Sequence, residues 1–234
     1  MLLQTLKTMV SNLCPQRKTS ASSNPCRIAP SVETLEAREV MSASVGFQHG
    51  ILTVHLTNNG QYGESAVVKN NGGYVYVGRG AGSPAFNPYL RVPAYQVREI
   101  RVYGSDRADS INLSEVSTKF FPNIRQTWVE GRGGHDHIIG SQVADFLFGQ
   151  GGRDTIHGQA GDDVIYGGTG NDLLEGGKNR DRIHGEQGND RLFGNSRSSL
   201  DNARDYLFGG QGRDRTNRSV LGANDIIRSI ERRN

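Results

Sequence analysis

The chain has 234 residues, a formal net charge of +3, 31 glycines, 7 prolines and 2 cysteines. That length suits one domain with attached segments, and so small a charge argues against nucleic acid as a partner. No apolar run exceeds the four residues Tyr74 to Val77, which excludes a membrane-spanning helix, and Cys14 and Cys26 both precede residues 131–217, so no disulfide framework holds that region. Met1 to Leu13 places Lys7 and several polar residues where a secretory signal would have its apolar stretch. Residues 1–31 contain Ser, Asn and Pro without periodicity and read as disordered. Together with the residues up to 44 they form a leader that is disordered or removed. Residues 45–103 read as a β-rich N-terminal region: ILTVHLT, SAVVKN, GYVYVGR and REIRVYG alternate in the manner of strands, separated by Asn-Gly and Gly-Gly turn signals. This region is expected to stack on, or cap, the open end of a glycine-rich repeat array on its C-terminal side. Gly104 to Asn112, with Asp109 and Ile111, is a cryptic copy of the repeat that begins 27 residues later, and 113–130 fills two more periods without glycine.

From Gly131 the chain divides into nines: GRGGHDHII, GSQVADFLF, GQGGRDTIH, GQAGDDVIY, GGTGNDLLE, GGKNRDRIH and GEQGNDRLF. A fifteen-residue unit, GNSRSSLDNARDYLF, comes next, and GGQGRDRTN closes the series at Asn217. Residues 131–217 hold 20 of the 31 glycines and 13 acidic against 10 basic residues, so the segment combines carboxylates with permissive backbone. Glycine stands at position 1, aspartate at position 6 and an apolar residue at position 8. A fixed period of this kind indicates a stacked solenoid, because no unit can bury its apolar residue alone. Positions 1 to 6 read as a turn and positions 7 to 9 as a three-residue strand with position 8 facing inward. The inward row is Ile138, Leu147, Ile156, Ile165, Leu174, Ile183, Leu192 and Leu207, ending at Thr216. Val143 and Asn179 interrupt the glycines of position 4; Asn tolerates a left-handed backbone, whereas a β-branched Val does not. The insertion in 194–208 reads as a surface loop that leaves the stack intact.

This pattern closely resembles the hemolysin-type (RTX) calcium-binding nonapeptide repeat, G-G-x-G-x-D-x-U-x, where U is a large apolar residue. The resemblance covers 131–217 and implies an all-β fold: a right-handed parallel β-roll, or β-helix solenoid, with two repeats per turn. It also implies several Ca²⁺ ions, each between consecutive loops on one side, held by backbone carbonyls and the position-6 aspartates. Those are Asp136, Asp145, Asp154, Asp163, Asp172, Asp181, Asp190, Asp205 and Asp214, in loops built on Gly134, Gly152, Gly161, Gly170, Gly188 and Gly212. Calcium suits such a set on chemical grounds as well, being a hard cation that takes about 6–8 oxygen ligands. Counting the cryptic copy, the roll is expected over 104–217. Residues 218–234 form a C-terminal cap in which Ile226 to Ile230 closes the end. The basic ending Glu231 to Asn234 differs from the C-terminal signal of type I-secreted RTX proteins. Near the other terminus, Leu35, Glu36, Arg38, Met41 and Ser42 look like the L-E-x-R-x-hydrophobic-S leader of exported planctomycete proteins. That resemblance implies an extracellular or cell-surface location and removal of both cysteines.

Units starting at 131, 149, 167, 185 and 209 fall on one side of the roll, and those at 140, 158, 176 and 194 on the other. The first side keeps glycine at position 4 throughout, so tighter sites are expected at Asp136, Asp154, Asp172 and Asp190. On the second side the outward positions 7 and 9 carry Phe146, Phe148, Val164, Tyr166, Arg182, His184, Tyr206 and Phe208. This aromatic face is expected to be partly covered and to serve self-association or a cell-surface or glycan partner. No histidine lies in H-E-x-x-H and no G-x-S-x-G elbow occurs. The reading is therefore a non-enzymatic, extracellular calcium-binding module with a structural or adhesive role. Its alternative is a carbohydrate-active enzyme, or the accessory domain of one, with a site in 45–130.

Overall fold

The computed structural model describes residues 43–57, 64–79, 91–195, 203–217 and 225–233. The chain divides into two units, Met1–Arg38 and Glu39–Asn234, and every described residue belongs to the second. The leader motif, Cys14, Cys26 and residues 196–202 of the fifteen-residue unit lie outside the described residues.

Alternating apolar residues start the fold with two antiparallel hairpins. β1 (Ala43–Gln48) returns as β2 (Ile51–Leu56), and β3 (Ser65–Asn71) returns as β4 (Tyr74–Gly78). Gly72 and Gly73 turn the second hairpin at φ of 61° and 86°, which glycine adopts without a Cβ penalty. A short 3₁₀ turn, Ala94–Gln96, leads into β5 (Glu99–Tyr103), parallel to β2, and then β6 (Ser110–Asn112), parallel to β3. Every later pairing is parallel. The strands are β7 (Gln126–Gly133), β8 (His137–Ile139), β9 (Ala144–Gly151), β10 (Thr155–Ala160), β11 (Val164–Thr169) and β12 (Leu173–Lys178). They continue as β13 (Arg182–Gln187), β14 (Arg191–Asn195), β15 (Tyr206–Gln211), β16 (Arg215–Asn217), β17 (Ile226–Arg228) and β18 (Glu231–Arg233).

The two hairpins take one sheet each and from β5 on successive strands alternate between two nine-stranded sheets, ordered β1-β2-β5-β7-β9-β11-β13-β15-β17 and β18-β16-β14-β12-β10-β8-β6-β3-β4. This is a parallel β-roll, with no α-helix among the described residues. Coil length shortens along the chain. Paired residues are 48 apart at Ile51 and Glu99, 27 apart at Glu99 and Gln126, and 18 apart at Ile165 and Ile183. The 27-residue coil tucks Leu113, Val116, Phe121 and Ile124 against the core. The insertion lengthens one coil to 24, yet Ile183 still pairs with Leu207. The inward rows, Val54-Val102-Val129-Leu147-Ile165-Ile183-Leu207 and Ala66-Ile111-Ile138-Ile156-Leu174-Leu192, are fully buried and belong to one core.

Two details differ from the sequence reading. The repeat strands span six residues, as in Thr155–Ala160, because they run on through positions 1 to 3 of the next unit, so the turn is confined to positions 4 to 6 there. The left-handed residues are those at positions 2 and 4, such as Gln150 at 73° and Gly152 at 128°, and not the glycines at position 1. Those serve space instead.

Candidate metal sites

Each repeat aspartate ends a turn and begins a strand, so parallel stacking sets its carboxyl over the equivalent residue of the preceding coil. The Asp136 N–H donates to Asp154 Oδ1 at 2.8 Å, Asp154 to Asp172 at 2.8 Å, Asp172 to Asp190 at 2.9 Å and Asp190 to Asp214 at 2.9 Å. A second ladder runs from Asp145 to Asp163 at 2.9 Å, Asp163 to Asp181 at 3.0 Å and Asp181 to Asp205 at 3.0 Å. The nine aspartates singled out in the sequence thus form two ladders, and each is at most 2% exposed. Two further rungs exist. Asp109 of the cryptic copy donates to Asp136 Oδ1 at 2.7 Å, and Asp205 donates to Asp225 Oδ1 at 3.1 Å. Asp225 escapes the sequence pattern because Val220 and Ala223 stand where glycines mark a repeat; its one signal is the Asp-x-apolar spacing to Ile227.

Oδ1 is thereby spent on the backbone. Oδ2 of Asp136, Asp154, Asp163, Asp172, Asp190 and Asp214 is buried and accepts no hydrogen bond among the described residues. A buried acceptor without a donor costs about 1–3 kcal/mol, which a bound cation would remove. The position-1 glycines make room for these atoms: a Cβ at Gly131, Gly149, Gly158, Gly167 or Gly185 would overlap Oδ2 of its own unit's aspartate. The same Cβ would lie 2.6 Å from the Gly167 carbonyl oxygen at Gly149, and 2.9 Å from that of Gly185 at Gly167. Carboxylate and carbonyl oxygens of adjacent coils therefore crowd one cradle. Gly134, Gly152, Gly161, Gly170, Gly188 and Gly212 have φ between 116° and 143°. A Cβ at Gly152, Gly170, Gly188 or Gly212 would overlap the carbonyl of the position-4 glycine one coil earlier. Asn179 takes the left-handed conformation at 79°, and Val143 stays out of it.

Burial governs the charge of the ladders. It pushes the carboxyls of Asp136 and Asp172 up to about 7, Asp190 to about 6, and Asp163, with Asp145 adding to the effect, to about 9. The donor set is all oxygen, buried and anionic when ionised, which fits a hard divalent cation such as Ca²⁺. No three His, Cys, Asp or Glu side chains converge on one point among the described residues. Most ligands would then be main-chain carbonyls, which the glycine loops supply. Asp145 and Asp205 differ from the other rungs. Asp145 accepts from Ser141 N and Ser141 Oγ at 2.6 Å each and from Thr127 Oγ1 at 2.7 Å, while Asn195 Nδ2 donates to Asp205 Oδ2 at 3.1 Å.

Position 5 carries an outer ladder that the sequence did not reveal. His135 Nδ1 accepts from Arg153 N at 2.8 Å, Asn171 Oδ1 from Asn189 N at 2.7 Å, and Asn189 Oδ1 from Arg213 N at 2.9 Å. On the outward face of the first sheet, Phe148, Tyr166, His184 and Phe208 stack in one row. Their centroids are 5.3, 4.7 and 4.7 Å apart and their planes within 11° of parallel. Trp128 extends the row at 4.8 Å from Phe148, with Phe146 beside it at 5.6 Å, and Arg182 lies over the Tyr206 ring. The rings are half-buried, and the stacked ones spend their faces on each other. On the second sheet, Phe193, at position 9 of the unit GEQGNDRLF, is only 8% exposed. His157 and His184 lie on opposite sheets, and His157 instead adjoins His137 at 5.9 Å between ring centroids.

No helix among the described residues is long and apolar enough to cross a membrane. A family model described as the RTX calcium-binding nonapeptide repeat (4 copies) matches residues 130–165, 139–174 and 166–196. No curated protein and no solved structure matches the chain. The carboxylate ladders and the family match coincide, and residues 130–196 are hemolysin-type RTX repeats, a β-roll that binds several Ca²⁺ ions.

Proposed function

We propose that this protein is an extracellular, non-catalytic module in which calcium folds the repeat array into a structural or adhesive scaffold. The observation that carries the reading is the row of buried Oδ2 atoms without donors, set against carbonyl oxygens in glycine cradles. The ligands are the ladder aspartates whose Oδ2 lacks a donor, with carbonyls of the position-1 and position-4 glycines completing each site. When bound, Ca²⁺ supplies positive charge that lets stacked carboxylates ionise in place. Without it, ionised rungs about 4.8 Å apart repel each other, and the glycines retain high chain entropy. The adhesive surface is the first sheet's outward face, around Phe146, Phe148, Tyr166, Tyr206 and Phe208. Its stacked rings present edges outward, which suits a protein surface, such as a second copy, better than the flat face of a sugar. Circular dichroism of the full chain tests the reading: strand signal rises on adding Ca²⁺ and falls with chelator. An array equally folded in both conditions overturns it.

A further inference from the structure

We propose that hydroxyl and amide donors of the chain itself stand in for calcium at the N-terminal end of each carboxylate ladder, and again at Asp205 of the second, which confines metal dependence to the remaining rungs and lets the N-terminal coils fold without metal. The inference rests on the calcium-binding reading of the inner rungs. At the start of the second ladder, Asp145 takes three hydrogen bonds from Ser141 and Thr127, filling both of its oxygens. At the start of the first, Asp109 Oδ2 accepts from Ser105 N at 2.6 Å and Ser105 Oγ at 2.9 Å, while Oδ1 accepts from Glu64 N at 2.6 Å. Both serines lie four residues before their aspartate, next to position 1, where the hydroxyl reaches the carboxylate that a cation would otherwise meet. Near the end of the second ladder, Asn195 Nδ2 does the same for Asp205.

Beyond these caps the row changes character. In the register of the first sheet, Asp145 is succeeded toward the N-terminus by Thr127, Ile100 and Leu52, a carboxylate giving way to a hydroxyl and then to two fully buried aliphatic residues. Coils built on Leu52, Val54, Ile100 and Val102 combine an apolar core with a buried carboxylate, Asp109, whose two oxygens are already hydrogen-bonded. They can therefore present a preformed parallel edge onto which metal-loaded coils add.

Peptide-resolved hydrogen exchange of the full chain, with Ca²⁺ and with chelator, tests this. In chelator, β2, β5 and β7 should keep at least tenfold protection, while β10 to β15 exchange at unfolded rates. Equal loss of protection in all of these strands overturns the inference and leaves the calcium reading standing. Retained protection in β10 to β15 overturns the calcium reading itself. Asp145→Asn removes the charge while its amide oxygen accepts from Ser141 N and its NH2 donates to the two hydroxyls, so calorimetric Ca²⁺ stoichiometry should equal that of the unaltered protein. Loss of an ion in Asp145→Asn would make Asp145 a metal rung and refute the cap.

Discussion

At the scale of single residues, the position-6 aspartate does two jobs with two oxygens. Oδ1 satisfies the N–H of the preceding coil, so the ladder would persist with any acceptor of that length. Oδ2 is the atom that asks for a cation, and the residues around it decide how strongly. On the first ladder Oδ2 of Asp136, Asp154, Asp172, Asp190 and Asp214 lacks a donor among the described residues; on the second, Oδ2 of Asp163 lacks one too, but the adjoining rung Asp145, and Asp205 further on, are already served by Ser141, Thr127 and Asn195. Asp172→Ala should therefore lower Ca²⁺ stoichiometry, measured by calorimetry, more than Asp163→Ala; the opposite order would reassign the sites. The pH dependence has a defined sign. Burial raises these carboxyls from 3.8 to about 6 at Asp190, about 7 at Asp136 and Asp172, and about 9 at Asp163. A group raised on folding contributes stability that is complete below its unfolded value and is lost as pH climbs through its folded value. Metal-free roll should hence carry more strand signal at pH 5 than at pH 8. Ca²⁺, which needs the ionised form, should bind more weakly as pH falls across the same window, as a calcium titration at each pH would read.

At the scale of the strand, each rung contributes one inward aliphatic residue and two outward side chains. The inward row is uniform and the outward rows are not. Among the described residues only the first sheet builds a continuous stack, from Phe148 through Tyr166 and His184 to Phe208. Each ring contact of this kind is worth about 0.5–1.5 kcal/mol beyond its buried area, so the row braces neighbouring coils as well as offering a surface. Burial also holds the His184 imidazole below its usual range, which favours the neutral ring inside the stack. Replacing Phe148 and Tyr166 together by Ser should leave Ca²⁺ affinity unchanged and abolish self-association in sedimentation experiments. A double variant that fails to fold with calcium present would instead assign the row to the core.

At the scale of the whole Glu39–Asn234 unit, the roll is a one-dimensional stack in which each coil touches only its neighbours, so metal sites and stability are added coil by coil. A ligand that binds only the folded state adds about 2.7 kcal/mol per site at a hundredfold excess over Kd. The midpoint of thermal unfolding should therefore keep rising with Ca²⁺ concentration well above saturation. A midpoint that levels off once the sites fill would show that calcium binds the unfolded chain as well. The N-terminal hairpins end the stack on one side: β1 and β4 run antiparallel to their neighbours, and Tyr74 and Pro93 form a bridge beside β4.

The sequence determined the solenoid and its chemistry, because both are local and periodic. Gly131 to Asn217 repeats often enough that one Asp and one aliphatic residue per unit define the ladder and the core without any long-range information. The insertion before Tyr206 left that inference intact, since Ile183 still pairs with Leu207 across it. What the tertiary structure alone decided depends on contacts across coils. Thr127, 18 residues before Asp145, carries no repeat signal, and only stacking brings its hydroxyl to that carboxylate. The parallel pairing of Ile51 with Glu99, 48 residues away, likewise has no period to announce it; it makes β2 and β5 part of the same sheet as the repeats. Asp225 joined the second ladder for the same reason: backbone registry supplied the position that its missing glycines did not mark.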